Sequence, residues 1–369
     1  MNALFSEFSE LDTAHMRRAI ELAWLGRFST SPNPRVGCVI AHGGQIVGQG
    51  FHVQAGFPHA EVHALRQAGD LARGATAYVT LEPCSHHGRT PPCAEGLIAA
   101  GVVRVVIAMG DPNPLVAGKG IALLQSAGIS VQCGLLADEA RALNRGFLSR
   151  IERRRPFVSL KIAASLDGKT ALSDGRSQWI TGEEARADVQ RQRAQSCAVL
   201  TGVGTVLHDN PRLNVRQFPT VRQPLRVILD SRLHTPESSR MIQDGQATQI
   251  FTLQKQPALF ATYPNVSVRQ CAADTDGRIA LPDILAQLAE DGIGELMVEA
   301  GCTLNSAFLQ QNLADEIVYY QSAKILGSNA QAAFSLPENP AVLQQNAEWQ
   351  TADVQILGND IKWTLRRAV

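Results

Sequence analysis

The sequence lacks any apolar run of the roughly 18 to 20 residues needed to cross a bilayer. Its best candidate, "LIAAGVVRVVIAMG", is broken by Arg104. It also lacks an excess of charge of either sign, with 34 Lys and Arg against 34 Asp and Glu. No broad basic field draws in a phosphate polymer, so neither nucleic acid nor membrane is expected as a partner. The opening stretch "MNALFSEFSELDTAHMRR" is acidic and has no hydrophobic segment ahead of a small-residue cleavage site, unlike a secretion signal. Repeats of solenoid length and low-complexity tracts are missing as well. The cysteines number seven, an odd count at irregular spacing. That fits reduced thiols in a cytoplasmic protein better than a disulfide framework. What remains is an ordinary soluble composition, 45% hydrophobic and 18% charged, on 369 residues. The length suffices for two domains with a core in each.

Apolar runs alternate with helical periodicity through most of the chain. "AHMRRAIELAWLGRF" predicts an amphipathic helix after Asp12, and "VGCVIAHGGQIVGQGF" a hairpin turning on Gly43 and Gly44. A helix from about Pro58, the strand "ATAYVTL", a short helix from Cys93 and the strand "VVRVVIAM" follow. The basic run in "RGFLSRIERRRPF" reads as a linker or the last turn of a helix. Beyond it the alternation restarts with "FVSLKIAASLDG", "CAVLTGVG", "LRVILD" and "GELMVEAG" as strands. Two α/β domains are therefore expected, residues 1–150 and 151–369, each a sheet covered by helices on both faces.

The chemistry-bearing residues of the first half are in "GFPHAEVHAL" and "PCSHHGRTPPC". His59 and Glu61 can face one site only if His59 sits at or before the first helical turn, and Pro58 suits such a start. His63, four residues after His59, suggests a zinc protease, but that motif needs glutamate where Ala60 stands. The pattern H-x-E followed by P-C and a second Cys fits better. There one histidine and two thiolates hold Zn2+, the fourth position is left to water, and the glutamate carries protons. Two thiolates balance the metal's charge, and the metal brings the pKa of a bound water toward neutrality. His59, Cys84 and Cys93 are thus the expected ligands and Glu61 the proton carrier. Cys84 follows a strand at the sheet's carboxyl edge, and Cys93 opens a helix whose dipole favours a thiolate. Taken singly, each could be an inert thiol or a surface histidine; the ordered set points to zinc.

With eight residues between its cysteines, this half resembles the deaminase part of the bifunctional riboflavin-biosynthesis deaminase-reductase family, which inserts residues there. "SPNPRVGCVI" is similar to that family's pyrimidine-binding loop, making Asn33 a candidate for bonding to the substrate ring or else a turn residue. His86, His87 and Arg89 would line the pocket mouth or a solvated loop.

In the second half, "GVGTVL" lacks the third glycine of a dinucleotide fingerprint, since Leu207 stands in its place. "VEAGCTLN" reads as a strand, a Gly301 turn and a helix start able to hold an anion. "KIAASLDGKTAL", "SQWITG" and "GVGTVLHDNPRLNVR" resemble, in order, the reductase part of the same family. The resemblance implies a cytidine-deaminase-like α/β/α sandwich followed by a dihydrofolate-reductase-like α/β domain. It places NADPH against Ala163, Trp179, Thr205, Asp209 and the turn Gly301, Cys302, Thr303, Leu304, Asn305, Ser306 and Ala307. It places substrate against Ser177, Arg193, Leu213, Arg216 and Glu299. Arg193 and Arg216 are forked donors suited to a ribose phosphate, or surface charges. Trp179 offers a flat face to a nicotinamide or pyrimidine ring, or belongs to the core. Lys161 is either a snorkelling edge residue or a substrate-binding cation that assists reduction at the sugar carbon.

The resemblance implies zinc-dependent loss of the 2-amino group from a pyrimidine ribotide, then NADPH-dependent reduction of its ribosyl chain; a cytoplasmic homo-oligomer is expected. Two other readings stay open: a nucleic-acid base deaminase, which would want a basic channel, and a structural zinc site, which would want a fourth protein ligand. His63, His86 and His87 are the nearest candidates for that ligand in sequence.

Overall fold

Ser9 and Asp12 begin the first helix by satisfying each other's backbone. Asp12 N donates to Ser9 Oγ at 3.1 Å, and Ser9 N to Asp12 Oδ2 at 2.9 Å. The helix therefore starts at Glu10, earlier than the apolar pattern predicts, because Asp12 belongs to its first turn. This computed structural model describes residues 8–85, 92–114, 116–255, 258–343 and 348–367. The chain divides into two compact units, Met1–Arg153 and Arg154–Val369.

The first unit runs α1 (Glu10–Leu25), β1 (Gly37–His42), β2 (Gln45–Phe51), α2 (Ala60–Ala68), β3 (Thr76–Val79), α3 (Cys93–Ala99), β4 (Arg104–Ile107), α4 (Lys119–Ser126), β5 (Ser130–Cys133), α5 (Ala137–Leu143) and α6 (Arg145–Arg153). Its sheet has the order β2-β1-β3-β4-β5, antiparallel at β2-β1-β3 and parallel from β3 to β5. Side chains alternate along each strand. Cys38, Ile40, Ala77, Val79, Val105 and Ile107 pack with α2, α3 and α4. Val39, Ala41, Tyr78 and Val106 pack on the other face with α1, α5 and α6. The predicted hairpin is the β1-β2 pair. The basic run forms most of α6, a helix rather than a linker, because Leu148 and Ser149 are buried between its charges.

The second unit runs β6 (Phe157–Ala164), β7 (Lys169–Ala171), α7 (Glu183–Gln195), β8 (Ala198–Gly202), α8 (Val203–Asp209), β9 (Leu225–Leu229), α9 (Arg240–Gln243), β10 (Thr248–Thr252), β11 (Val266–Gln270), α10 (Leu281–Glu290), β12 (Glu295–Val298), α11 (Cys302–Gln310), β13 (Glu316–Ser322), β14 (Gln331–Ala332), β15 (Trp349–Leu357) and β16 (Asp360–Arg367). Its main sheet has the order β11-β10-β9-β8-β12-β6-β13-β16-β15. Strands β11 to β13 in that order are parallel, and β16 and β15 add an antiparallel edge. The central strand β12 is buried along its whole length, as a strand covered on both faces must be. Leu160, Leu200, Val227 and Val298 pack with α10 and α11. Val199, Ile228, Met297 and Val318 pack with α7, α8 and α9. Because β8, β12 and β6 are neighbours, their carboxyl ends share one edge, where a parallel sheet presents its ligands.

Candidate active sites

In the first unit His59 is the N-cap of α2, with extended backbone (ψ 168°), and Ala60 opens the helix. This start resolves the angular conflict between His59 and Glu61: the histidine lies just outside the helix and the glutamate on its first turn. Pro92 precedes α3, so Cys93 is its first residue. Cys84 lies past β3, and its carbonyl accepts from Ala94 N at 3.2 Å.

His59 Nδ1 lies 3.2 Å from Cys93 Sγ and 3.6 Å from Cys84 Sγ. All three ligand atoms fall within 4.8 Å of one another. A tetrahedral zinc with ordinary bond lengths sets its nitrogen and sulfur ligands about 3.5 Å apart, so the triangle fits that ion. Among the described residues the group has three members. His63, the nearest candidate fourth ligand within them, is not a member of it. His86, His87 and Arg89 lie outside the described residues.

In this arrangement the two thiols share a proton. The Cys93 thiol hydrogen-bonds to Cys84 and, with His59, draws its pKa down to about 4 against the opposing effect of burial. The hydrogen bond to Cys84, then burial, drive Cys93 far up. A dication held by Cys84 and Cys93 would favour the deprotonated form of both. Glu61 is buried, 3% exposed, and among the described residues its Oε2 has no hydrogen-bond partner. Burial, then the Cys84 charge, raise its pKa above the ordinary carboxyl value, the direction that suits a group accepting and returning protons.

Asn33 reaches this site through a residue the sequence reading missed. Its Nδ2 donates to His52 Nε2 at 3.1 Å, and His52 Nδ1 is 3.1 Å from the Pro58 carbonyl beside His59. His52 is 2% exposed, and burial lowers its pKa. No spacing rule flags a lone histidine just past a strand; only the hairpin geometry brings it here.

In the second unit Glu299, directly after β12, is 8% exposed and gathers the charged groups. Arg193 of α7 meets it through Nε at 2.5 Å and Nη2 at 2.9 Å, while its Nη1 donates to Asn214 O. Lys161 Nζ on β6 is 3.5 Å from Glu299. Burial alone would raise Glu299, but Arg193 and Lys161 hold it down at about 2. The Arg193 fork is thus engaged by Glu299. Arg216 is exposed, and burial followed by the charges of Arg193 and Arg212 lowers its pKa, so it sits among cations. Leu213 is buried with φ of 49°.

A Cβ on Gly202 would lie 3.7 Å from Leu304, which puts the α8 start, with Thr205, beside the first turn of α11. Gly301 caps α11 without a side-chain bond and with open space before it. The first amides of Cys302, Thr303 and Leu304 are therefore suited to an anion. Asn305 Nδ2 folds back onto Ala300 O at 3.1 Å, its Oδ1 buried and unpartnered. Ser306 Oγ instead accepts from Ser335 N at 2.8 Å, and Ala307 packs against the core. Ser177 donates to Asp209 at 3.3 Å. Ala163 lies on β6 opposite Tyr320. Trp179 is 58% exposed, with Arg186 4.6 Å over its ring, so it is a surface aromatic rather than a core one.

These two constellations define a zinc-dependent deaminase joined to a reductase. The profile of the cytidine and deoxycytidylate deaminase zinc-binding region matches residues 9–109, and that of the RibD C-terminal domain residues 156–363. The chain is 49% identical to the Escherichia coli riboflavin biosynthesis protein RibD, over 88% of this chain and 91% of that protein. It is 45% identical to the Haemophilus influenzae protein of the same name, over 97% and 98%. Acinetobacter baumannii RibD superposes with a TM-score of 0.91 at 44% identity, covering 98% of this chain and 99% of that one. A Thermotoga maritima protein described as a diaminohydroxyphosphoribosylaminopyrimidine deaminase/5-amino-6-(5-phosphoribosylamino)uracil reductase gives 0.85 at 35% identity, over 97% and 99%. The chain belongs to the RibD family, the bifunctional deaminase-reductases of riboflavin biosynthesis. Its expected fold, a deaminase-like sandwich followed by a reductase domain, is the one observed. Its cofactors are zinc in the first domain and NADPH in the second.

Proposed function

We propose that the first domain hydrolyses the 2-amino group of 2,5-diamino-6-ribosylamino-4(3H)-pyrimidinone 5′-phosphate, consuming water and releasing ammonia. The second domain then reduces the product's ribosyl chain to ribityl, where bound NADPH would supply the hydride for the first sugar carbon. The observation that carries this reading is Glu61, buried beside the His59, Cys84 and Cys93 triangle with one carboxylate oxygen unpartnered among the described residues. Zinc, held by those three residues, supplies the Lewis acid that makes water acidic near neutral pH. Glu61 takes a proton from the attacking water and returns one to the leaving amine. Asn33, positioned by His52, offers its amide to the pyrimidine.

In the second domain Arg216, among other cations, receives the substrate phosphate. Lys161, paired with Glu299 at 3.5 Å, stands beside the sugar. Ser177, Leu213 and Arg193 shape the same pocket. The α11 turn, Thr205 and Asp209 hold the dinucleotide, with Ala163 and Trp179 against it. Catalysis here rests on positioning hydride donor and acceptor. Among the described residues no helix is long and apolar enough to cross a membrane. All seven cysteines are free thiols, which suits a reducing cytoplasm.

The test is ammonia release from the diaminopyrimidine ribotide with and without a chelator, followed by loss of the nicotinamide absorbance after NADPH addition. Chelator-sensitive ammonia followed by NADPH oxidation is expected. Ammonia without oxidation would refute the assignment of the second domain, and chelator-resistant ammonia that of the first.

A further inference from the structure

A carboxylate two residues before Cys84 has no part in the chemistry above. Glu82 is 4% exposed, yet no cation pairs with it among the contacts that hold it. Its Oε1 accepts from Gly120 N at 3.0 Å and Ile121 N at 3.2 Å. Its Oε2 accepts from Gly118 N at 3.1 Å and Asp111 N at 3.2 Å. Three of these amides belong to the start of α4, whose N-cap, Gly118, has no side chain to satisfy them. A glutamate far back in the chain does what a local cap residue normally does.

This clamp is tied to the metal-ligand loop at both ends. Glu82 N donates to Met109 O at 3.0 Å, fixing the residue to the end of β4. A Cβ on Gly120 would come within 2.0 Å of the Pro83 carbonyl oxygen, so the first turn of α4 rests directly on the peptide leading into Cys84. Beyond Cys84 the chain is held by Ala94 N on Cys84 O and Cys93 N on Cys84 Sγ, at 3.2 and 3.4 Å. The Cys84 backbone is therefore gripped from α4 on one side and from α3 on the other. Without the α4 grip, the Glu82 N–Met109 O bond and the α3 contacts are left to position the thiolate.

We propose that Glu82 is a positioning residue of the deaminase: its carboxylate clamps α4 to the Leu81–Pro83 segment and so presets Cys84 for zinc. This rests on His59, Cys84 and Cys93 being the zinc ligands. Glu82→Gln keeps the size but turns an amide NH2 toward backbone N–H groups, breaking one half of the clamp. Groups that orient metal ligands typically account for 10–100-fold of metal affinity.

The experiment measures zinc affinity of the full chain by competition with a chromophoric chelator, with Ser9→Ala as control. That variant removes the α1 capping box in the same domain, and so tests for general destabilisation. Glu82→Gln should bind zinc about tenfold or more weakly, with a shifted cobalt–thiolate absorption after cobalt substitution, while Ser9→Ala keeps wild-type affinity and spectrum. Equal affinity in Glu82→Gln, or an equal loss in Ser9→Ala, overturns the proposal. If Glu82→Gln fails to fold, hydrogen exchange of the wild-type Gly120 and Ile121 amides decides. Chelation should speed it about tenfold relative to α1 amides, and unchanged exchange overturns the proposal. Loss of zinc on Cys84→Ala tests the ligand assignment separately, so a failure of the clamp is distinguishable from a failure of the site.

Discussion

Replacing a Glu61 carboxylate oxygen with an amide nitrogen removes the proposed proton carrier and leaves His59, Cys84 and Cys93 in place. Glu61→Gln should retain one zinc per chain and lose deamination by about 10²- to 10⁴-fold in kcat. Metal analysis alongside the ammonia assay checks this; a variant that loses its zinc would instead make Glu61 a ligand. Glu299 gives a pH prediction. Its folded-state pKa, about 2 against an ordinary 4.5, is depressed, so its contribution to stability is present above the unfolded value and is lost as pH falls from 4.5 toward 2. The stability of the reductase domain, followed by denaturation across that window, should fall with acid in the wild type. Glu299→Gln should flatten the trend and cost about 3 to 5 kcal/mol at neutral pH, because Arg193 is left buried without its counter-charge. His59, Glu61, Cys84 and Cys93 were legible in the sequence because a metal fixes residue type and order together. The Arg193–Glu299 pair was not, since α7 and β12 meet only through the sheet order.

The elements that carry the zinc ligands are set by close approach as much as by hydrophobic pattern. On β2, a Cβ at Gly48 would come within 2.2 Å of the Ala64 carbonyl oxygen, and one at Gly50 within 2.8 Å of that of Ala60. These two glycines let α2 lie against the strand, and His59 and Glu61 ride on the start of α2. Gly48→Ala should displace that helix, costing about 1 to 3 kcal/mol. Ammonia release should fall with the reductase rate unchanged; equal loss of both activities would show a global effect. The hairpin at Gly43 and Gly44 and the α2 start at Pro58-His59 could be read from turn and cap chemistry. The start of α1 could not, because Asp12 serves equally as a cap or inside a capping box. The α6 helix was obscured by its arginines, which hide a buried face one turn wide. His52 and Glu82 escaped notice for a different reason: both act through backbone groups distant in sequence, which no local pattern announces.

At the scale of the whole molecule, each unit has its own sheet and its own pair of core layers. Residues 1–153 and 154–369 made separately should fold, the first releasing ammonia and the second oxidising NADPH with the deaminated substrate. Insoluble halves would show that each unit needs the other. Strand order has a further consequence for how such a chain is made. The deaminase sheet is complete once β5 has emerged, so its zinc site can assemble and fill while the ribosome is still at work on the second half. The reductase sheet grows differently: β6 is its first strand, but its partners on both sides are β12 and β13, with Phe157 opposite Glu295 and Ser159 opposite Glu316. Strand β6 must therefore stand unpaired until β12 has been made. Newly synthesised chains stalled or truncated before β12 are therefore the species most exposed to aggregation and chaperone capture, carrying a loaded deaminase ahead of an open β edge.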